Sequence, residues 1–177
     1  SESMPDANGQ AMKSYMEPEK HHVAVQRALE LGRTGNPAAL PELFELLSLP
    51  SNEAQRLAAS AIGKLAGVGA DPMAAVAALA PLALNARHPQ TQQYALRALG
   101  KYAAAAREYL HDLRDVARNP AYRDYVRVAA RATADAVDQA VRDEADGVCH
   151  RCQRCHGRVT ADEFARSNRT FQRVFCD

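Results

Sequence analysis

The stretch Arg56-Leu57-Ala58-Ala59-Ser60-Ala61-Ile62-Gly63-Lys64 decides the fold, because it returns 37 residues later as Tyr94-Ala95-Leu96-Arg97-Ala98-Leu99-Gly100-Lys101. Small and apolar residues recur at helical spacing in both, and neither shows the period-two alternation of a strand. Looser copies stand at Arg27-Ala28-Leu29 and Arg131-Ala132-Thr133, which places the central alanines Ala28, Ala61, Ala98 and Ala132 at intervals of 33, 37 and 34 residues. One turn upstream lie Ala24, Leu57, Tyr94 and Val128, each on the helical face of its central alanine. The last copy drifts, with Thr133, Ala134 and Asp135 where Leu, Gly and Lys would stand. Self-similarity at this period marks stacked supersecondary units.

Working outward, three of these helices begin just after Pro50, Pro89 and Pro120, where a missing N–H costs nothing. Between them the pattern predicts helices over 38–49, 72–86 and 105–118, with Asp71 as the N-cap of the second. One helix pair cannot bury its apolar stripe, but stacked pairs can, and alanines let neighbours approach closely. A non-repetitive helical bundle is the alternative.

The motif A-x-x-A-[LI]-G-K, met within Arg56–Lys64 and within Tyr94–Lys101, resembles the second helix of the HEAT repeat family over about residues 20–145. The resemblance implies an all-α fold, a right-handed α-solenoid of about four HEAT-like helical hairpins, to which the cysteines read below add a small metal-binding tail. It also implies a binding surface on the second helices, and a scaffold rather than a chemistry.

The domain reading is an N-terminal extension over 1–19, a repeat domain over 20–146 and a cysteine-rich tail over 147–177 that reads as truncated. The chain has 177 residues, 47% hydrophobic and 24% charged, enough for a real core and unlike a disordered chain. No stretch of about 18 uninterrupted apolar residues exists. The polar N-terminus carries no apolar signal region, so a cytoplasmic location is expected. Net charge is +1, but residues 147–177 hold six arginines and three acids, which makes the tail the basic part.

Taking each central alanine as position zero, positions −5, −1 and +3 share one helix face. Arg27, Arg56, Lys64, Arg97, Lys101, Arg127 and Arg131 fall there, interrupted by Leu31 and Asp135. Such a row suits phosphates or an acidic partner; the plainer reading is the ordinary solvated side of each helix.

All four cysteines lie in the tail: Cys149, Cys152, Cys155 and Cys176. Two-residue spacing lets the thiolates of a knuckle reach one ion, and zinc takes four such ligands. The run Cys152-Gln153-Arg154-Cys155-His156-Gly157-Arg158-Val159-Thr160 through Glu163, Phe164 and Ser167, then Phe171 and Cys176, resembles the small zinc-ribbon-like endings of various bacterial proteins, some of which process DNA. It departs from them in the inserted His156 and in lacking a fourth cysteine after Cys176. Cys149 is the best in-chain replacement, with His150 and His156 as substitutes. Thr160 and Glu163 form a capping box for a short helix. The same cysteines formally match an iron–sulfur ligand set, and Cys152-x-x-Cys155-His156 a c-type haem attachment. Free thiols or a disulfide are the plain alternative.

Catalytic residues are not expected. The sequence offers no Ser/His/Asp arrangement, no phosphate-binding glycine loop and no paired carboxylates, and His21, His22, His88 and His111 read as isolated. A base-flipping glycosylase on such repeats would need aromatic stacking, and this chain has no Trp. The expectation is a non-catalytic protein-binding module with structural zinc, its partner a protein; the alternative is a nucleic-acid-binding accessory module. No membrane association is expected.

Overall fold

A computed structural model describes residues 16–147. Among these the chain is all-helical, with no strand. The helices are α1 (Pro18–Thr34), α2 (Leu40–Leu47), α3 (Asn52–Leu65), α4 (Pro72–Asn85), α5 (Pro89–Gly100), α6 (Leu110–Arg118) and α7 (Asp124–Ala145). Short 3-10 segments at Pro37–Ala39, Ala66–Val68 and Ala103–Tyr109 join them.

Local chemistry sets the starts. Asp71 accepts from the backbone N–H of Met73 at 3.1 Å and Pro72 opens α4, as the sequence predicts. Ser51 caps α3 through Ala54 N–H at 3.2 Å. His88 Nδ1 accepts from Gln90 N–H at 3.3 Å, with Pro89 behind it. The stretch expected as one helix over 105–118 divides instead. Its first part is the 3-10 segment Ala103–Tyr109, entered through Ala103 at φ 51°, and only Leu110–Arg118 is α-helical. The left-handed residue lies three positions past the end of α5 and opens the 3-10 segment.

Three hairpins result: α2 with α3, α4 with α5, and α6 with α7. The second helices also pack in sequence, α1 on α3, α3 on α5 and α5 on α7, far more extensively than the first helices α2, α4 and α6 touch one another. Between the two rows lies one continuous core, with Leu43, Ile62, Leu65, Leu79, Leu96, Leu99 and Leu113 fully buried. Each such side chain contributes about 1.5–3 kcal/mol by leaving water.

Side chains tie the rows through backbone carbonyls. Gln55 donates to Leu47 O at 3.0 Å and Leu49 O at 2.9 Å, and Gln92 donates to Ala83 O at 3.1 Å. Both glutamines hold the end of the preceding first helix, where carbonyls lack helical partners. Between second helices, Tyr102 Oη donates to Ile62 O at 2.5 Å and Thr133 Oγ1 to Leu96 O at 2.8 Å. Burial pushes the Tyr102 phenol up to about 12.

Candidate functional site

Backbone contacts set the register of the second helices. A Cβ on Gly63 would meet Ala98 Cα at 3.0 Å, and one on Gly100 would meet Thr133 at 3.5 Å; Gly32 faces Ala61 at 3.6 Å. Ala61, Ala98 and Thr133 are therefore equivalent, each lying against the helix before it. The sequence places Ala132 in that series; the structure moves it on by one. Thr133 is buried while Ala132 is exposed. A pattern of small residues offers both alignments, and only packing chooses between them.

This shift changes the basic row. With Thr133 at position zero, the −5, −1 and +3 positions of α7 are Val128, Ala132 and Ala136, and none is basic. Asp135 takes the place held by Gly63 and Gly100. Arg127 takes the place of Gln55 and Gln92; it pairs with Asp124, and its Nε is buried with no partner. Arg131 is exposed and does not line the groove described below. At the other end, Arg27 is already engaged, bonded to Glu42 of α2 at 2.7 Å and to Glu30 at 2.9 Å. The hydrogen bond that Arg27 donates to Glu42 holds the Glu42 carboxyl below the usual carboxylate range and, with the one it donates to Glu30, raises the guanidinium further above its already high value. Arg56, Lys64, Arg97 and Lys101 remain, on adjacent helices α3 and α5. Among the described residues none of these four has an ion-pair partner, and all but the half-buried Arg56 are exposed.

Where the basic row gives way to Val128, Ala132 and Ala136, a groove of about 730 Å³ opens between α5 and α7. Gln93, Arg97 and Lys101, one turn apart along α5, form one wall. Tyr125, Val128, Ala132 and Ala136 form the other, with Thr133 between. Its lining is overwhelmingly apolar, yet Val128 is 64% exposed and Tyr125 37%. Asp124 stands at one end, against its Arg127. A second groove, of about 500 Å³, lies along α1 and α2, where Val23 is 66% exposed beside Met16, Leu46 and Leu49. Sequence reasoning missed both. The signal for the first was present in Val128, Ala132 and Ala136, a period-four apolar row on a helix already buried along another stripe.

The fold also brings together residues that read as isolated. His21 Nδ1 lies 2.7 Å from Ser51 Oγ, and His21 Nε2 lies 3.4 Å from Glu53 Oε2. Ser51 is only 3% exposed and its oxygen already accepts from Ala54 N–H, so the trio fastens α1 to the start of α3 rather than presenting a hydroxyl to a substrate. His88 serves as a helix cap, while His111 sits exposed, 3.3 Å from Asp115.

Cys149, Cys152, Cys155, Cys176, His150 and His156 lie outside the described residues. Among the described residues no group of three or more His, Cys, Asp or Glu is placed to hold a metal ion. No helix among them is long and apolar enough to cross a membrane.

Comparison with protein-family models, curated proteins and solved structures finds no match.

Proposed function

We propose that this chain is a non-catalytic binding scaffold, a right-handed HEAT-type α-solenoid whose groove between α5 and α7 receives a protein partner. One observation carries the reading: an exposed apolar row, Tyr125, Val128 and Ala132, faces two unpaired cations, Arg97 and Lys101, across an open groove. Apolar side chains in a concave surface gain by being covered, and flanking charges orient what covers them. The stacking of second helix on second helix supports the solenoid reading. To test it, a peptide library is selected against the full chain and counter-selected on Val128→Asp. Enriched binders that lose affinity for the variant are expected; a library that yields no groove-dependent binder would overturn the reading.

The four unpaired cations Arg56, Lys64, Arg97 and Lys101 support a second reading, a nucleic-acid-binding accessory role. Binding to phosphates would weaken with salt at a log–log slope of about −0.7 to −0.9 per contact, and Arg97→Ala with Lys101→Ala would flatten it by roughly one to two units. No measurable binding at about 50 mM salt, where this electrostatic attraction is strong, would remove that reading.

For the tail, the Cys-x2-Cys spacing supports a structural zinc site on Cys152, Cys155 and Cys176, with Cys149 as fourth ligand. Elemental analysis of protein purified without chelator should then give about one zinc per chain. A brown protein with iron in place of zinc would point to a cluster.

A further inference from the structure

We infer that the occupant of the α5–α7 groove is an amphipathic helix carrying two carboxylates one turn apart, set beside its apolar face. This deepens the scaffold reading and rests on it.

Three properties of the groove lead there. The first is its division. The α7 wall is apolar, while the α5 wall carries Arg97 and Lys101, four residues apart and without ion-pair partners among the described residues. Cations one turn apart on one helix match carboxylates one turn apart on another, and an apolar strip beside them matches an apolar stripe. A ligand apolar all round would leave the cationic wall unmatched, and one charged all round would leave Tyr125 and Val128 against polar groups.

The second is the scarcity of polar partners. An extended segment against α7 would press its N–H and C=O groups onto Val128, Ala132 and Ala136, where nothing accepts or donates. A helix satisfies its own backbone first. The alanines of α7 also let a ridge of side chains settle between two parallel rows, as helices pack. From Tyr125 to Ala136 the wall runs about 16 Å at the helical rise, room for about three turns.

The third is the distribution of charge. Asp124 at the head of α7 disfavours an acid at that end. The carboxylates therefore belong toward Arg97 and Lys101, which gives the occupant a direction. A nucleic acid fits less well, because the basic row stops at α5 and the groove beyond it offers no further cation.

The test is a displayed library of helical peptides of about 16 residues, about three turns of which fill the groove while the rest sustain the helix. It is randomised on one face, selected against the full chain, and followed by fluorescence anisotropy of the best peptide. The expected winners carry an apolar stripe and two acids one turn apart. Replacing those acids with Lys should weaken binding by about tenfold or more, and Arg97→Glu with Lys101→Glu should reverse the preference. Val128→Asp, at a well-exposed position that leaves the circular dichroism unchanged, should weaken binding of the acidic peptide by about tenfold or more. Winners that depend on Val128 but show no acid preference would overturn this inference and leave the scaffold reading standing. If no peptide binding responds to Val128→Asp, both fall. Tighter binding of a single-stranded oligonucleotide, lost in Arg97→Glu with Lys101→Glu, would overturn it in favour of phosphate.

Discussion

The interface between α3 and α5 and the one between α5 and α7 are built on the same glycine, with different neighbours. At the first, Gly63 meets the backbone of Ala98 so closely that a Cβ would stand 3.0 Å from its Cα. At the second, Gly100 meets the side chain of Thr133 with room for an ordinary contact at 3.5 Å. The motif is intact on both sides of the first interface and has drifted on the far side of the second. Where it is intact the second helices present cations; where it has drifted they present Val128, Ala132 and Ala136. The candidate site thus lies where the repeat departs from itself.

Substitutions that add the same atoms to each interface should break this symmetry most clearly. Gly63→Ala sets a Cβ 3.0 Å from the Ala98 Cα, backbone that yields little, and should cost about 1–3 kcal/mol, read as a lowered urea midpoint. Gly100→Ala should be neutral or gain up to about 1 kcal/mol, since the space exists and alanine favours the helix. Equal losses at both sites would show that the two interfaces are equally tight.

A smaller effect separates the hydrogen bonds that cross them. Tyr102→Phe leaves Ile62 O without its phenol donor at the first interface, and Thr133→Val removes the bond to Leu96 O at the second. Each should cost about 1 kcal/mol by thermal or urea denaturation. Tyr102 adds a pH signature. Its folded value stands near 12 against an ordinary 10.0, so the unfolded chain ionises first. Stability from this group is whole below pH 10 and is lost as pH rises toward 12. Tyr102→Phe should abolish that part of the alkaline decline; an unchanged decline would mean other groups cause it.

The smallest expected effect compares the cations at the two ends. Arg27 is held by Glu42, whereas Arg97 is free of ion pairs among the described residues. Glu42 has a lowered folded value, so its contribution is present above the ordinary carboxylate range and fades as pH falls through the folded value. Glu42→Gln should shift the acid unfolding midpoint, followed by circular dichroism, only slightly, because the two side chains keep 42% and 40% of their surface in water, where solvent screens the pair. Arg97→Gln should not shift it.

The sequence carries the helices and most of their starts because those depend on local chemistry. Asp71 with Pro72, and the alanine spacing of α3 and α5, suffice for that. It misreads the last register because Ala132 and Thr133 are both small enough to be central, and the choice rests on contact with Gly100. The Arg27–Glu42 pair and the His21–Ser51 contact join residues 15 and 30 positions apart, and helical periodicity has no reach over such distances. The 3-10 part of 105–118 hides in a run of good helix formers, where propensity argues for the wrong answer.

Asp135 sets a limit on growth by duplication. A further hairpin copied from this chain and laid on α7 as α7 lies on α5 would bring its backbone to a carboxylate, where Gly63 and Gly100 admit one. Desolvating that unpaired charge costs several kcal/mol, so the copy would have to seat differently or arrive with a cation. A single codon, Asp135 to Gly, would make α7 a joint like α3 and α5 before it.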